Sequence, residues 1–237
     1  MTGPPAGGDH ERRRWMLILG AGVLLVVALI ALFALVDGDD AADDAAPSAS
    51  GEARGGCETE PPDGLDYEVA TFDVTGTEAE MYGVIDATTP CRLDELLEEN
   101  PDLDTIVMVD VPGSANDDAN LVAARTVRDA GLTTIVTADG PGVASGGTDF
   151  FAAGVERIVE SGAVVGVHSW AAGDGTEGGD LPRDHPEHRR YLDYYADVGI
   201  PEDFYWFTLE AADAADIHDM SEDELLRYEI ATEIVPG

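Results

Sequence analysis

The feature that most constrains this chain is a run of 22 residues without a charge, Trp15 to Val36 (WMLILGAGVLLVVALIALFALV). At about 1.5 Å of rise per residue, a helix of that length crosses a hydrocarbon core of about 30 Å. Arg12, Arg13 and Arg14 precede the run and DGDDAADD follows it. The positive-inside rule therefore leaves residues 1–14 in the cytoplasm and sends the rest of the chain outside. A cleaved signal peptide is the competing reading, but the run exceeds the usual apolar region of a signal and no convincing small-x-small cleavage site follows. The expectation is a single-pass protein of the cell membrane, with a transmembrane helix over 15–36 and an extracellular C-terminal part.

Residues 37–64 are rich in Asp, Ala, Gly, Ser and Pro and hold few large apolar side chains. Such a segment cannot bury enough surface to offset the entropy of ordering, so it reads as a disordered acidic linker. The remainder, 65–237, is long enough for one globular domain.

Charge restricts the partners. The chain carries 49 Asp and Glu against 12 basic residues, a formal net charge of −37, and the basic residues are all Arg. A surface this acidic repels phosphate backbones, which excludes nucleic acid as a partner class. At molar salt the screening length falls to about 3 Å and self-repulsion largely disappears. The acidity thus points to a halophilic setting rather than to a ligand site. Both cysteines, Cys57 and Cys91, follow the membrane segment and so lie where disulfides persist. A bridge between them would stabilise the domain by roughly 3–4 kcal/mol in the loop-entropy model; two separate thiols are the alternative. No Cys/His cluster has zinc spacing, and neither a metal nor a cofactor is expected.

From Leu65 onward, β-branched runs alternate with helical patterns, the signature of an α/β domain with a mostly parallel sheet. The strands expected are 82–86 (YGVID), 105–111 (TIVMVDV), 133–137 (TTIVT) and 163–168 (AVVGVH), apolar runs that read as buried on both faces. Helices are expected over 92–99, over a segment whose Ala119, Val122, Ala123, Thr126, Val127 and Ala130 share one face, from near Ser145, and over 185–198 and 221–228. Gly131 should end the second of these.

Three places can carry chemistry. The run Gly140-Pro-Gly-Val-Ala-Ser-Gly-Gly147 joins a strand to a helix and presents Ser145 at the helix N-terminus, where amides and the helix dipole favour developing negative charge. A plain helix cap is the alternative role for Ser145. The strand AVVGVH ends at His168, an edge position from which an imidazole can take the Ser hydroxyl proton. The strand TIVMVDV runs into Pro112-Gly113-Ser114, a turn whose amides suit half of an oxyanion hole. The spacing of His185 and His188 invites a metal reading, but the two do not share a helix face and Pro186 lies between them. A helix start capped by Asp184 fits better. The aromatic set Tyr191, Tyr194, Tyr195, Phe204, Tyr205, Trp206 and Phe207 reads as packing, with some rings lining a cleft.

In this order the pieces resemble the Clp protease proteolytic-subunit family and its membrane-bound and periplasmic relatives, over roughly Gly83 to Val235. The similar stretches are GVI, VPGS in place of a Ser-Pro-Gly-Gly turn, LVAARTVRDAGLTTIV, GVASGGTDFFAAGVERIV and AVVGVHSW. The resemblance implies a ClpP/crotonase-like fold of stacked ββα units and a serine peptidase acting on peptide or protein substrates. It implies Ser145 as nucleophile, His168 as general base and the amides of Ser114 and Gly146 as oxyanion donors. Asp216 is implied as the orienting carboxylate, with Asp219 as the alternative. Homo-oligomerisation is implied by the same likeness. Two departures, Ser114 for a Gly and Gly146 after the nucleophile, leave open a non-catalytic binding or scaffold module on the same fold. Crotonase-like thioester chemistry is a third reading, disfavoured because coenzyme A esters are not expected outside a membrane.

Overall fold

The computed structural model describes residues 59–237. The expected transmembrane helix, most of the expected linker and Cys57 lie outside the described residues. Among those described, no helix is long and apolar enough to cross a membrane. Cys91 is disulfide-bonded.

An antiparallel pair opens the domain, β1 (Thr71–Thr75) and β2 (Glu78–Tyr82), turning at Gly76 with φ 67°. Then come α1 (Thr89–Glu99), β3 (Thr105–Val111), α2 (Asp117–Asp129), β4 (Thr133–Val136), β5 (Gly142–Ala144) and α3 (Gly146–Ala152). The chain continues through β6 (Arg157–Glu160), β7 (Val165–Val167), α4 (Arg189–Val198), α5 (Glu202–Ala211), β8 (His218–Asp219), α6 (Glu222–Arg227) and β9 (Glu233–Val235). The expected strand at 82–86 thus ends earlier, at Tyr82, where a bulge between Met81 and Tyr82 breaks the register. Val84 and Ile85 still pair beyond it, as isolated bridges to Val69 and Ser114.

The nine strands form one mostly parallel sheet that divides at β3. One edge of β3 is taken by β2. The other is shared, by β4 along Thr105–Met108 and by β5 at Asp110 and Val111. A seven-residue strand is long enough to serve both partners, and each partner is about half its length. One arm runs β2-β3-β4-β6-β9, all parallel, and the second runs from the end of β3 through β5 and β7 to β8. Each successive pair, β4 with β5 and β6 with β7, places its first strand in the first arm and its second in the other. This mixed α/β fold with a mostly parallel sheet agrees with the fold class expected from the sequence.

The arms are not buried equally on both faces. In β3, Ile106, Met108 and Val111 are fully buried, whereas Val107 and Val109 are only partly so. The β-branched runs fit a half-covered pleat as well as a fully covered one, so composition does not separate the two cases. The phase of α2 also differs from expectation. Its buried residues are Asn120, Leu121, Ala123, Ala124 and Val127, and Val122 stands 54% exposed. In an Ala-rich helix two adjacent stripes have similar hydrophobicity, and packing chooses between them. Asn116 caps α2 by accepting from the Ala119 amide at 2.9 Å, and Gly131, with φ 72°, ends it as expected.

Candidate active site

The site is assembled where the second arm of the sheet ends. Strand β5 pairs in parallel with β7, Ala144 opposite Gly166, so the residues that follow on each strand, Ser145 and His168, leave the sheet at the same edge. Together with Gly146 they line one cavity of ≈ 50 Å³, whose other walls include Asp117, Asp149, Trp170 and Tyr191.

Ser145 is held in a backbone conformation that L-residues rarely adopt, φ 54° and ψ −127°. Strain of this kind costs of order 1–3 kcal/mol and persists only where the surroundings enforce it. They do so here from both sides. The Ser145 amide donates to Gly166 O on β7 at 3.1 Å, and its carbonyl accepts from the Thr148 and Asp149 amides of α3. Thr148 Oγ1 closes the junction by donating to Gly166 O at 2.7 Å. Although Ser145 occupies the cap position of α3, its side chain makes no capping hydrogen bond. The plain cap role is therefore not the one its hydroxyl performs.

The two departures from the resembled family turn out to be steric complements. A Cβ added to Gly146 would lie 2.3 Å from Ser114 Oγ and 2.6 Å from Ser114 Cβ. The side chain present at position 114 thus occupies the space that a side chain at 146 would need. Ser114 is fixed in this place because its hydroxyl donates to Asp117 Oδ1 at 2.6 Å. Behind Gly146, the buried Asn120 donates to the Gly146 carbonyl at 2.9 Å. Gly113, with φ 153°, approaches from the same turn, and a Cβ there would sit 3.7 Å from Ser145 Oγ.

Ser114 pairs with Ile85 through a parallel bridge in which the bonds are made by its neighbours, Ile85 N to Gly113 O and Ala115 N to Ile85 O. In such a ladder the paired residue turns its own amide to the opposite side, here the side of β5 and Ser145. The Gly146 amide opens α3 and has no intrahelical acceptor. Among the described residues neither amide has another acceptor, so both expected oxyanion donors are free to bind one.

His168 Nδ1 lies 2.8 Å from the Ser169 carbonyl oxygen. A carbonyl only accepts, so Nδ1 carries the proton and Nε2 holds a free lone pair. Burial pushes the imidazole pKa down, against smaller upward effects from the Ser169 hydrogen bond and the charges of Asp117 and Glu177. The ring is therefore neutral at pH 7, in the tautomer a general base at Nε2 requires. Among the described residues no hydrogen bond joins Ser145 Oγ to this ring. The structure does not bring Asp216 or Asp219 to the cavity. Both are exposed; Asp216 Oδ1 accepts from the Ile217 amide at 2.9 Å, and Asp219 lies on β8 opposite Gly166.

Two carboxylates outside the expected site residues line the cavity. Asp117 accepts from Ser114 Oγ through Oδ1 and from Tyr191 Oη through Oδ2, at 2.6 and 2.8 Å. Asp149, one turn into α3, accepts from Tyr195 Oη, and burial pushes its pKa up to about 7 against the lowering effect of that bond. In a chain with 49 acidic residues, no local signal marks these two. Tyr191, Tyr195 and Tyr205 line the cavity, as expected for part of the aromatic set, and Tyr191 stacks between Trp170 and Tyr205 at centroid distances of 5.9 and 5.6 Å.

His188 is buried and serves this wall: Trp170 Nε1 donates to Tyr205 Oη at 2.9 Å, Tyr205 Oη donates to His188 Nδ1 at 2.7 Å, and His188 Nε2 donates to Pro182 O at 3.1 Å. Both ring nitrogens are thereby occupied by protein groups. Asp184 does not cap the helix start. A 3-10 turn over Pro186–His188 precedes α4, and the His185 ring accepts from the Glu187 amide instead.

No protein-family model matches the chain, and no curated relative is found by sequence. Among solved structures, it is similar to the 1510-N membrane-bound stomatin-specific protease in complex with a substrate peptide, at a TM-score of 0.44 and 15% identity over 62% of this chain and 69% of that one. A second mutant structure of the same protease gives 0.44 and 14% identity over 63% and 73%. Enoyl-CoA hydratase from Bacillus halodurans gives 0.43 and 10% identity over 71% and 73%. At these values the likeness adds nothing to the chemistry of the site, and the mixed α/β fold with its mostly parallel sheet stands on the domain's own topology.

Proposed function

We propose that the domain is a serine hydrolase that cleaves peptide bonds by acyl transfer, tethered at the outer face of a membrane by residues 15–36 and the linker that follows. One observation carries this: a serine in enforced, rarely populated backbone geometry, with a side chain that does not cap its helix, shares a cavity with an imidazole whose Nε2 is free. In the first step Ser145 Oγ attacks the substrate carbonyl carbon while its proton passes to His168 Nε2. The carbonyl oxygen becomes an oxyanion facing the amides of Ser114 and Gly146. The imidazolium then gives its proton to the leaving amine, the C–N bond breaks, and water attacks the ester by the same route to release the acid and free Ser145.

A fluorophosphonate probe at high salt tests the proposal. Ser145→Ala should lose all labelling and hydrolysis while keeping its far-UV and thermal signatures; undiminished labelling in that variant sinks the assignment. A second reading, a binding module on the same fold, is favoured by the small cavity, since ligand pockets usually measure about 300–1,000 Å³, and by the lack of a Ser145 to His168 hydrogen bond. It predicts no labelling of the wild-type chain and saturable binding of an unstructured acid-free peptide.

A further inference from the structure

We propose that His168 is oriented by the main-chain carbonyl of Ser169, and that Asp117 is the carboxylate whose charge supports the imidazole when it takes a proton. The inference rests on the hydrolase reading above and names a positioning residue for it. In a Ser-His-Asp arrangement the carboxylate does two jobs, fixing the tautomer and stabilising the imidazolium. Here the jobs are divided. The tautomer is fixed by the 2.8 Å contact from Nδ1 to Ser169 O. Ser169 is itself immobilised: it is 1% exposed, its amide donates to Ala212 O at 2.8 Å, and its hydroxyl accepts from the Gly179 amide. Nδ1 is given to Ser169 O and not to Asp216 or Asp219, both of which are exposed.

The charge has to come from elsewhere in the cavity. Asp117 enters from the first turn of α2, and both its oxygens are tied, one to Ser114 and the other to Tyr191, so its position in the cavity is fixed by hydrogen bonds that do not involve the ring. Because Ser114 carries an expected oxyanion amide, the same carboxylate also fixes that turn. The other charged or titratable groups around the ring are Asp149 on α3, Tyr191 and Tyr195 on α4, Tyr205 on α5 and Glu177 in the segment before α4. Asp149 is pushed up to about 7 and so is partly neutral at that pH. The tyrosines are neutral, with Tyr191 and Tyr195 raised well above the usual phenol range, mainly by burial, and Tyr205 up to about 12. Arg190 is held outside this set, its guanidinium donating to Tyr191 Oη at 3.1 Å and to Asp118 Oδ1 at 3.2 Å.

The test is a nitrogen-detected NMR titration of the His168 ring in the folded domain, alongside hydrolysis rates against pH. The wild-type ring should show a protonated Nδ1 and an unprotonated Nε2. Asp117→Asn keeps the size of the side chain and removes the charge, while its amide nitrogen replaces one accepting oxygen and obliges Tyr191 Oη or Ser114 Oγ to turn and accept; the ring's midpoint should move to lower pH and kcat/KM should fall about tenfold to a hundredfold. Asp216→Asn, which removes a charge at an exposed position outside the cavity lining, should leave the midpoint unmoved. An Nε2-protonated tautomer, or a midpoint that moves with Asp216 rather than Asp117, overturns the inference. The ring readout does not need activity: a wild-type chain that fails to hydrolyse peptides but titrates as described sinks the hydrolase reading and leaves the placement of the imidazole intact.

Discussion

The cavity has two walls built in different ways. The β5–α3 and β7 side is made by main-chain geometry: Ser145 in its unusual φ and ψ, the Gly146 and Ser114 amides, and the Ser169 carbonyl behind His168. The α4–α5 side is made by side-chain packing, with Tyr191 stacked between Trp170 and Tyr205 and phenols hydrogen-bonded to Asp117 and Asp149. The first wall tolerates almost no added atom, because backbone cannot rotate out of the way. The second consists of groups that neighbours can partly replace, so its changes should be graded.

The largest effect expected on this contrast is at Gly146. Gly146→Ala puts a Cβ within 2.6 Å of Ser114 Cβ, and should cost about 1–3 kcal/mol by overpacking along with most of the probe labelling. Ser114→Gly in the same chain should restore the larger part of the stability, measured as non-additivity in a denaturant double-mutant cycle. Simple additivity would mean that the contact is not what excludes a side chain from position 146.

A smaller effect is expected on the opposite wall. Tyr195→Phe deletes a hydrogen bond to a partly buried carboxylate and should cost about 1–2 kcal/mol. It also removes the bond that lowers the Asp149 pKa, so Asp149 should titrate at still higher pH by carboxylate-detected NMR. A loss as large as that of Gly146→Ala would erase the distinction between the walls.

The last expectation is a change of stability with pH. The native pKa of Asp149 lies above the ordinary carboxylate value of 3.8, at about 7, so between those values the folded state holds a proton that the unfolded chain has released. Stability from this group is therefore fully present below pH ~4 and lost as pH rises through about 7. In chemical denaturation at fixed molar salt, wild type should lose stability relative to Asp149→Asn across that window. Parallel curves would show that Asp149 is not held protonated by its surroundings.

Much of the first wall was legible in the sequence, because glycine and turn residues mark where backbone must bend. The run from Gly140 to Gly147 announced a strand-to-helix junction, and the strand ending at His168 lies beside it as β7. Strands β3, β4 and β7 were visible as β-branched runs, whereas β5 opens on Gly142, β6 is bounded by Arg157 and Glu160, and β9 opens on Glu233, so none of these three stands out as an apolar run. Helix α5 was hidden because its aromatic run, Phe204 to Phe207, has no polar face to give it a period. The roles of Asp117 and Asp149 were not legible: a carboxylate's function depends on what it faces, and in so acidic a chain position alone does not single one out.

The sequence by itself determined the local grammar of this protein: which runs pleat, where the backbone must turn sharply, which serine and which histidine stand at element ends, and that the surface is acidic throughout. These follow from short-range sterics and hydrophobic periodicity, which each segment carries with it. Only the tertiary structure decided that β3 would serve two arms, that Ser114 would fill the space left by Gly146, and that a main-chain carbonyl and not a distant aspartate would hold the imidazole. Those outcomes depend on which groups meet after the chain has packed, and close packing settles them by excluding volume rather than by any property of a residue taken alone.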